Sequence, residues 1–271
     1  MRLLLALAAL GLLAASPATA QDIMLQGAVA QGGLVRGTAP PGTVGLTMNG
    51  RPVAVAPDGT FLIGFDRDAA ASAILVARLS DGREIRQPLA VAPRRWRIEH
   101  IDVARRPGIP DAAYQRLRER ELARIAAARA RNEAGEGWRQ RFIWPASGRI
   151  SGLFGSQRVY RGEPAAFHSG VDVAAGAGAA VVAPADGMVV LAGPPSFSLE
   201  GNLVVIDHGM GLNSAFLHLA TSVVSVGQRV RQGQPIGTVG ATGRGPGPHL
   251  HWSMRWSDSR IDPQAVAEPI R

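Results

Sequence analysis

Three short segments, His168-Ser169-Gly170-Val171-Asp172, Leu217-His218-Leu219 and His249-Leu250-His251, hold four of the chain's six histidines and one aspartate. Imidazole and carboxylate together form the usual ligand set of a hydrolytic zinc centre. The chain has no cysteine, which excludes both a thiolate metal site and a disulfide framework. On a β-strand, residues i and i+2 share a face, so His249 and His251 can reach one site. The pattern predicts metal-dependent hydrolysis with His, Asp or Glu as the ligands. The other two histidines read differently: His100 as a surface residue, and His208, in an Asp-His-Gly turn, as structural. A phosphate-loop reading of the glycines at 240, 243, 245 and 247 fails, because the run lacks a Lys-Ser/Thr ending and precedes a strand.

The elements that must position these residues are mostly strands. Apolar runs at 180–183, 187–191, 203–206 and 222–226 alternate with turns at Asp186-Gly187, His208-Gly209 and 243–247. Such spacing predicts an antiparallel sheet folded on itself for a C-terminal unit, 141–271, and not βαβ units. Residues 21–94 carry the hairpin signals Asn49-Gly50, Asp58-Gly59 and Asp81-Gly82 between strand-like stretches, which predicts a small Ig-like β-sandwich. That unit has no histidine and no acid cluster, and reads as an accessory domain.

Between them, 95–140 reads as a helical linker. Pro110-Asp111 marks a helix start, Tyr114, Leu117, Leu122 and Ile125 form an apolar stripe, and Gly135 and Gly137 end it. Residues 94–161 hold 16 arginines against 7 acids, although the whole chain carries only +8. Such a basic stretch is either a solvated face with i,i+3 or i,i+4 ion pairs, such as Glu121 with Arg118 or Arg124, or an attachment to an anionic envelope surface. The first twenty residues read as a cleaved signal peptide, with Arg2, an apolar run from Leu3 to Ala15, and Ala18-Thr19-Ala20 before Gln21. No later segment reads as transmembrane. The expected location is periplasmic or secreted, away from nucleic acid. With 46% hydrophobic residues the chain can build real cores.

The C-terminal unit resembles the lysostaphin/LytM family of zinc metallo-endopeptidases, which cleave peptide cross-links of bacterial cell walls. The likeness rests on His168 to Asp172, on Phe216-Leu217-His218-Leu219, and on Gly240-Ala-Thr-Gly243-Arg-Gly-Pro-Gly247-Pro248-His249-Leu250-His251. Smaller landmarks are 182–187 and Gly201-Asn202 ahead of 204–209. The resemblance covers roughly the last 130 residues and implies a mainly β fold. It further implies that His168, Asp172 and His251 bind Zn²⁺, and that His218 and His249 are the catalytic non-ligand pair. Zinc-activated water would attack the scissile carbonyl of a peptidoglycan stem-peptide cross-link, with those two histidines assisting. No glutamate adjoins the motifs, so a histidine is the expected base. Relatives that lose zinc ligands act instead as non-enzymatic activators of a cell-wall amidase; this chain keeps the full set. A wall-binding scaffold acting through the arginine-rich linker is a third reading. Two departures stand out: Phe216 where Tyr is usual, and 252–256 where many relatives have Phe-Glu. Both are expected to bear on specificity.

Overall fold

The computed structural model describes residues 22–104 and 111–267. The expected signal segment, and Pro110 at the expected helix start, lie outside the described residues.

Turn chemistry builds the N-terminal unit. Asn49 and Gly50 take φ of 51° and 78°, as a two-residue hairpin turn requires, and join Thr43–Met48 to Arg51–Val53. Asp58 accepts hydrogen bonds from the backbone and hydroxyl of Thr60, and Asp81 accepts from the Arg83 backbone, so both Asp-Gly turns are tied by their own side chains. Two sheets result. One holds Met24–Gln26, Leu34–Thr38 and Thr60–Gly64; the other holds Arg51–Val53, Thr43–Met48, Ser72–Leu79 and Glu84–Ala90. Along Ser72–Leu79 the alternate residues Ala73, Leu75, Ala77 and Leu79 are buried, the period-2 signature of one face on a core.

The protein is mainly β, and the C-terminal unit is a large antiparallel sheet. Across it run, in order, Arg229–Val230, Gly187–Leu191, Asn202–Asp207, Leu212–Ser222, Leu250–Trp256, Val171–Ala174 and Arg149–Gly152. The central strand Leu250–Trp256 therefore lies between the strands that carry the other two motifs. The two units share one hydrophobic core, which continues from Val35, Phe61 and Leu75 to Trp138, Trp252 and Ile261. A Cβ on Gly64 would lie 2.7 Å from Ile261 Cδ1, so glycine allows this approach without displacing the Ile261 side chain. Ionic contacts fasten the same interface: Arg260 grips Asp66 at 2.9 and 3.0 Å, and Arg94 meets buried Asp262 at 2.8 Å.

The stretch 95–140 is built into the fold. Ile98–Ile101 pairs in parallel with Gln157–Tyr160, and α1 (Ala112–Arg129) packs on the sheet. Asp111 caps α1 by accepting from the Tyr114 N–H at 2.7 Å. The buried face of α1 is Glu121, Ile125 and Ala128, seated against Leu191, Phe197, Leu203 and Val205. This corrects the expected stripe. Leu117 and Leu122 are about half exposed, and Glu121 occupies the seat beside the loop at 198–200, the rim loop. Its burial is compensated by hydrogen bonds from the backbone and hydroxyl of Ser198, both 2.6 Å, and by Arg118, which also grips Glu200. Many arginines of the basic stretch are likewise used internally, on Asp58, Glu99, Asp102, Glu133 and Asp262. Arg95, Arg97, Arg116, Arg120 and Arg149 are exposed and outside these pairs, and they form the outward-facing part of the basic stretch. Among the described residues no helix is long and apolar enough to cross a membrane.

His208 is structural, as expected. It has no exposure, its Nδ1–H donates to the Asp186 carbonyl at 2.8 Å, and its Nε2 accepts from the Ser214 hydroxyl at 2.9 Å. Desolvation pushes its pKa down to about 4. The unfolded chain, at about 6.5, then binds the proton more readily, so this group's contribution is present at neutral pH and is lost as pH falls from about 6.5 towards 4. Between pH 7 and 5 the wild type should lose about 2 kcal/mol more stability than His208→Gln. Denaturant titrations of both proteins at the two pH values measure it; parallel losses would show that His208 is not the group involved.

Candidate metal centre

Sheet register, not sequence proximity, assembles the site. Asp172 and His251 are direct cross-strand partners, and Leu217 pairs with His251 on its other side. His168 enters from the turn ahead of Val171–Ala174. His168 Nε2, Asp172 Oδ1 and His251 Nδ1 converge, at 3.0 Å from His168 to each of the others and 2.9 Å between Asp172 and His251. His249 stands at the same face, with Nε2 3.9 Å from Asp172 Oδ1, as the i, i+2 relation requires.

His218 reaches the site by a different device. Its φ is +65°, in the left-handed region that costs a side-chain-bearing residue of order 1–3 kcal/mol. Pairing of Leu212–Ser222 with Asn202–Asp207 and with Pro235–Val239 shifts register around this point, while pairing with Leu250–Trp256 stays regular. The His218 N–H donates to the Glu200 carbonyl at 2.9 Å, off the regular ladder. The irregular backbone turns the imidazole to within 4.8 Å of the His249 ring and 6.2 Å of the His251 ring.

Backbone carbonyls fix the ring orientations. A carbonyl oxygen only accepts, so Nδ1 carries the proton in His168 (to Leu153, 3.1 Å), His218 (to Thr242, 2.8 Å) and His249 (to Gly247, 2.8 Å). Each then presents a lone pair at Nε2. For His168 that lone pair faces Asp172 and His251; for the other two it is free for proton transfer. Burial, against the Thr242 hydrogen bond, lowers the pKa of His218 and favours the neutral form a base needs. Burial raises the Asp172 pKa, but the hydrogen bonds and charge that His168 and His251 supply in their protonated forms outweigh it and hold this carboxyl well below the usual carboxylate range, an interaction that a cation at the trio would take over.

A divalent cation fits the convergent trio. Two imidazole nitrogens and one carboxylate oxygen match zinc's preferences, and tetrahedral ligands at about 2.0–2.1 Å from a zinc ion stand roughly 3.3 Å apart, close to what these atoms show. The carbonyl behind His168 is the outer hydrogen bond that orients a metal-binding imidazole. Room for the trio depends on two glycines. A Cβ on Gly152 would lie 2.3 Å from Asp172 Oδ2, and one on Gly170 would lie 2.7 Å from His251 Nε2. Gly152→Ala should therefore displace Asp172 and weaken zinc binding by roughly 10–100-fold, the usual cost of disturbing the surroundings of a metal ligand. Competition for zinc against a chromophoric chelator measures this, and an unchanged affinity would show that the Asp172 rotamer is not limiting.

All five residues singled out from the motifs thus come together. Residues that spacing could not reveal are the orienting carbonyls of Leu153, Thr242 and Gly247; Asn202, one of the sequence landmarks, donates its amide to the Leu219 and Ala220 carbonyls behind His218. The expectation for Phe216 needs correction, as does that for Trp252 and Met254 within 252–256. Phe216, Trp252 and Met254 have no exposure and lie in the core, so a hydroxyl at 216 would face packed side chains and not substrate.

Residues 166–263 match the model of peptidase family M23, so the likeness to that family lies within the C-terminal unit. A solved M23 peptidase from Pseudomonas aeruginosa superposes with a TM-score of 0.67 at 28% identity, covering 89% of this chain and 96% of that one. The DD-carboxypeptidase/endopeptidase Mpg of Neisseria meningitidis is 39% identical over 125 residues, 45% of this chain and 27% of that protein. The murein hydrolase activator NlpD of Escherichia coli is 34% identical over 120 residues, 44% of this chain and 29% of that protein. The match thus spans between a quarter and a third of these curated relatives' length.

Proposed function

We propose that the protein is an exported zinc endopeptidase that hydrolyses peptide cross-links of peptidoglycan, with the division into signal segment 1–20, accessory unit 21–94, connecting segment 95–140 and catalytic unit 141–271 forming part of that reading. The observation that carries it is the convergence of His168, Asp172 and His251 beside two histidines whose Nε2 atoms are unprotonated. His168 Nε2, Asp172 Oδ1 and His251 Nδ1 would hold the metal. Zinc there supplies Lewis acidity, polarising the scissile carbonyl and lowering the pKa of water to about 7.

The chain's own groups do the rest. Nε2 of His218 or His249 accepts a proton from the attacking water. The imidazolium so formed can donate to the developing oxyanion or to the leaving amine. The Nδ1–H bonds to Thr242 and Gly247 keep both rings in the tautomer this needs. Their partly buried setting strengthens each interaction by excluding water. The relatedness to Mpg, a DD-carboxypeptidase/endopeptidase, supports the peptide cross-link as substrate class.

The test is digestion of purified sacculi, with products identified by mass spectrometry. Release of uncrosslinked muropeptides, abolished by a chelator and restored by zinc, is the expected result. No release, together with stimulation of a separate amidase, would instead support the activator reading that the NlpD relationship suggests.

A further inference from the structure

We propose that Arg67, in the accessory unit, is a positioning residue for the metal centre, acting through the turn that carries His168; this rests on the zinc reading above. Arg67 is a charged side chain only 8% exposed, in a unit that contributes no ligand. Such burial needs compensation, which comes from the adjacent Asp68 and from partners across the interface. Nε donates to the Gly155 carbonyl at 2.9 Å, one terminal nitrogen donates to Gln157 Oε1 at 3.0 Å, and the other meets Asp68 at 2.6 Å. The guanidinium also lies 4.8 Å from the ring centre of Phe167, the residue before His168, and 5.7 Å from that of Trp96.

Those cross-interface contacts converge on the segment that carries His168. The Gly155 N–H donates to the His168 carbonyl and the His168 N–H donates to the Ser156 carbonyl, both at 2.8 Å. The Ser156 hydroxyl donates to the Leu153 carbonyl at 2.7 Å, and that carbonyl receives His168 Nδ1–H. Gln157 in turn donates to the Ala165 carbonyl at 2.7 Å, closing the turn from its other side. Gly155, at φ +79°, lies so close to Trp96 that an added Cβ would overlap its ring. The turn from 153 to 168 is thus held between Arg67 and Trp96 on one side and the imidazole on the other. A planar fork that reaches a carbonyl, an amide oxygen and a ring at once cannot be reproduced by an ammonium. The accessory unit then contributes preorganisation of the first ligand, and not only stability.

The experiment compares zinc affinity and folding in the full chain. Wild type should take up one zinc ion. Arg67→Lys should stay folded by circular dichroism and bind zinc roughly tenfold more weakly, in the range for outer groups that orient a ligand. Gln157→Met, which removes the acceptor but leaves Arg67 in place, should move affinity in the same direction and gives the reading if Arg67→Lys does not fold. Arg36→Gln is the control. Arg36 donates to the Trp138 and Gln140 carbonyls in the same interface, away from the His168 turn, and its loss should lower the melting temperature with zinc affinity unchanged. Wild-type affinity in Arg67→Lys, or in Gln157→Met if the first variant is unfolded, overturns the proposal. An equal loss in Arg36→Gln overturns it too, because any loosening of the interface would then suffice. A wild type that binds no zinc overturns the metal-centre reading instead.

Discussion

His251→Ala is expected to lower cross-link hydrolysis by on the order of 10³-fold or more and to abolish zinc uptake. The loss of Lewis acidity removes several kcal/mol of transition-state stabilisation, and each 1.36 kcal/mol is tenfold in rate. His168→Ala and Asp172→Ala should behave alike, because the three ligand atoms lie within 3.0 Å of one another and act as one unit. A second readout separates metal loss from misfolding. A ligand that binds only the native state stabilises it by about 4 kcal/mol at a thousandfold excess over its dissociation constant. In a domain of this size that is ~10 °C of melting temperature. The wild type should therefore melt lower after chelation and recover with zinc, while His251→Ala should be indifferent to both. A His251→Ala protein that still responds to zinc would place the ligand set elsewhere.

Replacing His249 or His218 by alanine should have a different signature. Hydrolysis should fall about 10²–10⁴-fold, the range for removing a positioned general acid or base, with zinc stoichiometry retained. The two losses should combine to less than their product, because the rings lie 4.8 Å apart and serve the same proton movements. Metal analysis alongside kinetics decides the matter. If either variant loses zinc, that histidine is a ligand and the assignment of the trio is wrong.

Taken by itself the His-x-His invites a simpler arrangement, two ligands side by side on one strand. Period-2 geometry correctly places both rings at one face, and the structure keeps them there. What distinguishes them is the atom each presents: His251 offers Nδ1 to the trio, while Gly247 takes the Nδ1–H of His249 and leaves Nε2 beside it. That choice depends on a carbonyl two residues away whose direction only the folded loop sets. The turn signals were legible for a similar reason. Asn49-Gly50 carries its backbone preference locally, so the hairpin follows from two residues. The helix stripe was misread because an amphipathic pattern assumes an apolar partner at every seat. At Glu121 the partner is the rim loop, with Ser198 donating to the carboxylate and Arg118 bridging it to Glu200.

The sequence by itself determined which residue types are available as ligands, the β character of both units and the hairpin turns, because residue type, period-2 alternation and turn preference are local properties. The tertiary structure decided which histidines face which atoms. The register that pairs Asp172 with His251, the positive φ that swings His218 out of its strand, and the buried Arg67 behind the His168 turn all depend on backbone brought together from distant parts of the chain. Hydrogen-bond direction and register are set between elements, where no local pattern records them.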